Sequence, residues 1–196
     1  MKVLAELYQN DWEKVKQFIV FHPKDFVMRC LEMSEKHKRE KAIVWDDAGL
    51  WLFAMQHNDI FVQSVIKYLN VARTNWAAMI LTTPTPSWVI FKMRNFPQNV
   101  RIKIIKTHSD LQGVQRLRMA KAYKSWMAPD FRHSGVRNYY QDNFDATMPQ
   151  DFYEWYRPVR DGYARQANEL MQKSLKHVLK RDAHADVEAI AEAYTS

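Results

Sequence analysis

The chain has 196 residues, 47% of them hydrophobic and 26% charged, a composition that excludes an intrinsically disordered chain. Its one cysteine excludes an intrachain disulfide, and no uncharged run is long enough to span a bilayer, so we predict a cytoplasmic protein without a membrane span. The net charge is +7, and residues 101–137 hold nine Lys/Arg against two Asp while the rest of the chain is balanced. This cluster favours a polyanionic partner.

The first half of the chain alternates predicted helices with predicted strands. Apolar residues at helical spacing predict helices over residues 1–9, 25–38, 59–72 and 87–95. Runs rich in β-forming residues predict strands over residues 16–21, 41–46, 76–81 and 100–107. Because strands that alternate with helices usually pair in parallel, we predict an α/β fold with a mostly parallel sheet.

Beyond residue 107 the pattern changes. Residues 114–123 are predicted to pair back on the 100–107 strand as a hairpin, with a helix over 114–126 as the alternative. Strand alternation in this pairing predicts one basic face and one apolar face. The aromatic residues 126–163 predict short helices and loops, followed by a long helix from about 159 to 179.

Polar side chains follow two of the predicted parallel strands directly. Asp46 and Asp47 stand at the end of the 41–46 strand, and Thr82 and Thr83 follow the 76–81 strand. Open α/β sheets bind ligands at the carboxyl ends of their strands, so these residues form a candidate site. The alternative for the acids is a solvated turn, and for the hydroxyls a cap on the turn before Pro84.

These two strand ends resemble the Walker B and sensor-1 strands of P-loop NTPases, in the branch that includes RecA-like and AAA+-like ATPases. More loosely, the chain is similar to small ATPases of archaeal plasmids and viruses. The resemblance covers residues 1–107. It implies that Asp46 binds the Mg²⁺ of a bound ATP, that Asp47 orients the attacking water, and that Thr82 or Thr83 contacts the γ-phosphate. In the same frame Arg73 is a candidate finger toward a neighbouring subunit of a homo-oligomer, with a surface arginine as the alternative.

The phosphate-binding loop of that family, G-x-x-x-x-G-K-[ST], does not occur in this sequence. In the family the loop joins the first strand to the first helix, and the first strand lies between the sensor strand and the last strand. The chain begins within what would be that first helix. We therefore expect a segment upstream of Met1, with a chain that has lost nucleotide binding as the alternative, and we predict that the 196 residues alone do not hydrolyse ATP.

Together these features predict an ATPase that acts with DNA. The predicted organisation is a P-loop-like core over residues 1–107 and a hairpin with helices over 108–196. A non-catalytic nucleic-acid-binding module and an assembly protein are the alternatives. The predicted nucleic-acid contacts are Arg101, Lys103, Arg116, Arg118, Lys121 and Lys124.

Overall fold

The computed structural model describes residues 1–56, 58–96, 99–106, 117–128 and 134–195. The chain divides into two compact units, Met1–Pro149 and Gln150–Ser196. The first unit is a mixed α/β structure with one parallel and one antiparallel sheet, each of three strands. The α/β class is therefore confirmed, whereas the predicted division after residue 107 falls inside this first unit.

The parallel sheet and its helices occupy the first 94 residues. Aspartates cap two of the helices: Asp11 accepts a hydrogen bond from the Lys14 amide, and Asp59 from the Val62 amide. Short 3₁₀ turns cover Ala48–Leu50, Ala54–Gln56, Ala72–Thr74 and Pro86–Trp88. The main elements are α1 (Lys2–Leu7), α2 (Trp12–Gln17), β1 (Ile19–Val20), α3 (Pro23–Glu35), β2 (Glu40–Trp45), α4 (Ile60–Leu69), β3 (Trp76–Leu81) and α5 (Phe91–Arg94).

Strand β2 is the centre of the parallel sheet, with β1 on one side and β3 on the other. Its residues Ala42 to Trp45 are completely buried, as this uncharged run predicts for a strand covered on both faces. Phe26 of α3 stacks on the Trp45 indole with ring centroids 4.6 Å apart. This packing fixes the carboxyl end of β2, where the candidate site begins.

The strand predicted over residues 16–21 is wrong for most of its length. The Asp11 cap begins a helix that continues to Gln17, and only Ile19 and Val20 pair with β2. The apolar run that favoured a strand is buried all the same, because Phe18 and Phe21 belong to the core. A short apolar run of this kind therefore indicates burial, but it does not show whether the residues pair as a strand.

The second sheet consists of β4 (Val100–Lys106), β5 (Leu117–Met127) and β6 (Ser134–Asp145), all antiparallel. The predicted hairpin is confirmed by the pairing of β4 with β5. The prediction that β4 belongs to the parallel sheet is wrong. Its alternation of basic and apolar residues suits an exposed antiparallel strand better than one buried on both faces.

The short helices and loops predicted over residues 126–163 are also wrong. Most of that stretch forms β6 and the beginning of a long helix, α6 (Gln150–Thr195), which contains Pro158. The predicted C-terminal helix is confirmed, although it begins at Gln150 rather than near 159. In the described part of the chain, no helix is long and apolar enough to cross a membrane.

Candidate functional site

The carboxyl ends of β2 and β3 lie side by side, because Trp45 pairs with Leu81 in the parallel register. The pairing continues into the following loops. The Thr82 amide donates to the Trp45 carbonyl at 3.0 Å, and the Ala48 amide donates to the Thr82 carbonyl at 2.9 Å. The structure therefore brings together the two loops that carry the predicted acids and hydroxyls.

Thr82 bridges both aspartates through one hydroxyl group. Its Oγ1 donates to Asp46 Oδ1 at 2.6 Å and accepts from the Asp47 amide at 2.8 Å. Asp46 is only 6% exposed, whereas Asp47 and Thr82 are half-buried. Since a hydroxyl has one proton, the proton of Thr82 is directed at Asp46 and its orientation is fixed.

Asp47 has a left-handed backbone conformation, with φ of 50°. Such a φ is uncommon outside glycine, and aspartate is one of the residues that tolerate it. This conformation turns the chain into the 3₁₀ helix Ala48–Leu50. The sharp turn sets the two adjacent carboxylates in different surroundings, one buried under Thr82 and one nearer to the surface.

The hydroxyl of Thr83 belongs to the turn rather than to the acids. Its Oγ1 donates to the Thr85 carbonyl at 3.0 Å, which is the cap on the turn before Pro84 that the sequence left as an alternative. Thr83 Oγ1 also leaves no room for a side chain at position 49, because a Cβ built on Gly49 would lie 2.6 Å from this oxygen. Of the two threonines, Thr82 is therefore the one hydrogen-bonded to Asp46.

Arg73 lies at the opposite end of the sheet. It is an exposed residue of the 3₁₀ helix Ala72–Thr74, which Asn75 connects to the first residue of β3. Six strand residues separate it from Thr82, a distance of about 20 Å at roughly 3.3 Å per residue. The structure does not bring Arg73 together with Asp46, and a role toward a neighbouring subunit remains a prediction.

The oxygen donors at the strand ends fit Mg²⁺ as partial ligands. Mg²⁺ is usually held in proteins by one or two carboxylates, with substrate phosphates and water completing the octahedron. Within the described ranges no group of three His, Cys, Asp or Glu side chains could hold a metal ion by itself. The loops 46–52 and 82–87 contain no Lys or Arg, so they offer no side chain that would hold a triphosphate.

The basic residues of the second sheet do not share one face, as the hairpin prediction required. Residues paired directly across antiparallel strands project to the same side. Lys103 pairs with Lys121 on one side, whereas Arg118 pairs with Lys106 on the other. The second side also carries Lys124, Ile102 and Ile104, so the prediction of one basic and one apolar face is wrong.

The residues predicted to contact nucleic acid also differ in their hydrogen bonding and in their exposure. The guanidinium of Arg101 donates to Asn95 Oδ1 at 2.7 Å and to the Arg94 carbonyl at 3.4 Å, so it joins β4 to the preceding loop. Lys103 is exposed, and Lys121 and Lys124 are half-buried. Arg116 lies outside the described residues.

Two tyrosines from the segment predicted as short helices and loops belong to this basic sheet. Tyr139 and Tyr140 of β6 are 54% and 46% exposed, and Lys124 Nζ lies 5.3 Å from the Tyr139 ring centroid. The run from residue 134 to 145 contains valine, tyrosine and phenylalanine but no proline, which was the available signal for a strand.

The sequence matches no family model, and no solved structure matches the chain. It is 30% identical over 105 residues to an uncharacterized protein, B-251, of Sulfolobus spindle-shape virus 1. The match covers 48% of this chain and 40% of the viral protein. The chain thus spans about two fifths of the length of that relative.

Proposed function

We propose that the parallel sheet is the Walker B and sensor-1 part of a P-loop ATPase that acts with DNA. The observation that carries the proposal is the hydrogen bond between Asp46 and Thr82 at the ends of two adjacent parallel strands. In the resembling family the Walker B acid and the polar sensor act on the same nucleotide. Their counterparts here are in direct contact although they are 36 residues apart in the chain.

The free edge of β3 supports the same assignment. Among the described residues β3 pairs with β2 alone, and its Ala77 and Ala78 are exposed although the strand carries no charged residue. An exposed apolar edge is a template for another strand. In the resembling family the first strand lies beside the sensor strand, which is the position of this edge. We infer that a strand with the phosphate-binding loop, from an upstream segment in the same reading frame, pairs there.

In this assignment each residue at the strand ends has a separate task. Mg²⁺ neutralises charge on the phosphates when it is bound with ATP. Asp46 supplies a hard oxygen ligand, and Thr82 orients that carboxylate through its hydrogen bond. Asp47, on the turn above, is the candidate acceptor for the proton of the attacking water. Phosphate binding is assigned to the upstream loop, because the loops 46–52 and 82–87 hold no cationic side chain.

The similarity to a viral protein agrees with a mobile-element origin. The B-251 protein is itself uncharacterized, so its name adds nothing about activity. The basic second sheet supports the DNA partner.

The test is Mg²⁺-dependent ATP binding, measured by calorimetry on the 196-residue chain and on a form extended upstream in its native frame. We expect binding by the extended form alone. Asp46→Asn and Thr82→Val should each abolish its hydrolysis, whereas Thr83→Val, which removes a hydroxyl from the turn, should retain most of it. An extended form without a phosphate-binding loop, or one that hydrolyses ATP equally well with Asp46→Asn, would overturn the proposal.

A further inference from the structure

A β-bulge interrupts the second sheet and opens a pocket on it. The register shifts between Ala122 and Tyr123 of β5, so that Tyr139 is an extra residue on β6. A concave pocket of about 280 Å³ surrounds the shift, and its lining includes Lys121, Tyr123, Tyr139 and Tyr140. Bulges re-aim side chains and occur often beside functional sites. We call this cavity the bulge pocket.

The rings at the bulge pocket are accessible and held by their neighbours. The Tyr139 and Tyr140 centroids are 5.6 Å apart with an interplanar angle of 61°, and about half of each side chain is exposed. Lys124 lies over the Tyr139 ring, in cation–π contact. Exposed rings with a fixed orientation lose little entropy when a flat ligand stacks on them.

The surroundings of the bulge pocket are strongly positive. The three strands carry seven basic residues and two acidic ones in their described parts. Lys124 of β5 pairs directly with Arg137 of β6, so both project to the face that carries the Tyr139 ring. The acidic residues, Asp142 and Asp145, stand toward the other end of β6. Positive charge around an aromatic pocket matches a ligand with flat rings on a negatively charged backbone.

We propose that the bulge pocket binds a base of a single-stranded polynucleotide, with the neighbouring cations on the flanking phosphates. The base stacks on Tyr139 or Tyr140, and Lys124 and Arg137, which lie on the same face of the sheet as the Tyr139 ring, neutralise the flanking phosphates. The cavity is slightly smaller than the roughly 300–1,000 Å³ of typical ligand pockets, which suits one base rather than a whole cofactor. The inference rests on the second sheet alone and holds whether or not the first sheet belongs to an ATPase.

A single strand fits these features better than a duplex does. Stacking on a tyrosine needs an exposed base face, and the bases of a duplex present only their edges in the grooves. Backbone neutralisation and stacking also make separate contributions to affinity, so each can be removed without the other. The proposal therefore predicts two distinguishable kinds of variant.

The experiment measures the binding of a fluorescein-labelled oligo(dT) to the full chain by anisotropy at several salt concentrations. At least one of Tyr139→Leu and Tyr140→Leu should weaken binding about 5- to 100-fold, the range for loss of one stacked base, with an unchanged salt dependence. Lys124→Gln and Arg137→Gln should instead reduce the slope of log affinity against log salt by about 0.7 each. Oligo(rU) and the matching duplex complete the set of ligands.

Matched variants outside the sheet control for general effects. Tyr153→Leu removes another exposed tyrosine and Lys67→Gln another exposed cation, and both should bind as the wild type does. Tyr139→Phe keeps the ring and should retain binding, which separates stacking from misfolding. Binding of oligo(dT) or of oligo(rU) that these substitutions weaken as expected supports the proposal. The ligand that binds more tightly shows whether the pocket prefers a DNA or an RNA strand. Unchanged binding by both tyrosine variants, or tighter binding of the duplex, would overturn it.

Discussion

Thr82 donates a 2.6 Å hydrogen bond to Asp46, a carboxylate that is only 6% exposed. Hydrogen bonds to an ionised acceptor are short and about twice as strong as neutral ones. The same hydroxyl accepts from the Asp47 amide, so one side chain on β3 determines the geometry of both acids that follow β2. A carboxylate held in this way is oriented before any ligand arrives.

Replacement of Thr82 by valine should destabilise the fold even without a ligand. The variant keeps the shape of the side chain but leaves the Asp46 oxygen and the Asp47 amide without this partner. Loss of a partner in a buried network costs about 1–3 kcal/mol, and we expect a decrease of that size in the free energy of unfolding. Urea denaturation of the 196-residue chain measures it.

Thr82→Ser and Thr83→Val are the matched controls. Serine retains the hydroxyl and should recover most of the lost stability. Thr83→Val removes only the bond to the Thr85 carbonyl, and a smaller loss, about 0.5–1.5 kcal/mol, is expected. Equal losses for Thr82→Val and Thr83→Val would contradict a special role for Thr82.

The contact between Asp46 and Thr82 was predictable in outline, because parallel strands end at the same edge of a sheet. Asp46, Asp47, Thr82 and Thr83 were all found from their positions after uncharged strands. The sequence did not distinguish the two threonines, since both hydroxyls follow β3 directly. Only the path of the loop decides that Thr82 faces Asp46 while Thr83 closes the turn with Thr85.

Gly49 should tolerate no side chain while Thr83 is present. A Cβ at this position would lie 2.6 Å from Thr83 Oγ1, on a loop already bonded to Thr82 through the Ala48 amide. We expect Gly49→Ala to destabilise the fold by about 1–3 kcal/mol, the usual cost of overpacking. Thermal or urea unfolding measures this loss.

A double-mutant cycle and a second glycine test the cause of that loss. Removal of the Thr83 hydroxyl in Gly49→Ala/Thr83→Ala should recover part of the stability, which gives a favourable coupling energy. Gly162→Ala in α6 meets no atom within 4 Å, and it should stabilise the helix by about 0.5–1 kcal/mol. Additive effects of the two substitutions at positions 49 and 83 would show that the contact is not responsible.

The second sheet was less predictable than the first, for physical reasons. An exposed antiparallel strand needs no continuous apolar run, so β6, with Arg137 and Asn138 beside Tyr139 and Tyr140, resembles a polar loop. The prediction of one basic and one apolar face was wrong because the faces depend on the register. In the observed register Arg118 lies opposite Lys106, on the other face from Lys103. A shift of the pairing by one residue would move Arg118 to the face of Lys103.

Glu40 should contribute to stability at neutral pH and lose this contribution in acid. Burial raises the pKa of its carboxyl, but contacts with Lys38 and the hydroxyl of Tyr8 outweigh burial and hold the pKa below its usual value. A carboxyl whose pKa is lower in the folded state stabilises above its unfolded pKa, about 4.3. That stabilisation disappears as the pH falls through the folded pKa.

Unfolding of wild type and Glu40→Gln between pH 7 and pH 3 tests this. The variant should be less stable at pH 7, and the difference should shrink as the solution becomes acidic. Glu13→Gln breaks an exposed ion pair with Lys16 and should change stability by less than about 1 kcal/mol. A difference between wild type and Glu40→Gln that stays constant with pH would show that ionisation is not the cause.

The free edge of β3 makes a prediction for hydrogen exchange. The Thr82 amide donates to β2, and amides alternate in direction along a strand, so those of Met79 and Leu81 face the free edge while that of Ile80 faces β2. In the 196-residue chain we expect Met79 and Leu81 to exchange much faster than Ile80. In the upstream-extended form the pairing of a new strand should protect both, because their amides would then donate within a sheet. Residue-resolved exchange by NMR measures the three amides in the two forms. If Met79 and Leu81 are as well protected as Ile80 in the 196-residue chain, the edge is already covered and the proposed position of the missing strand is excluded.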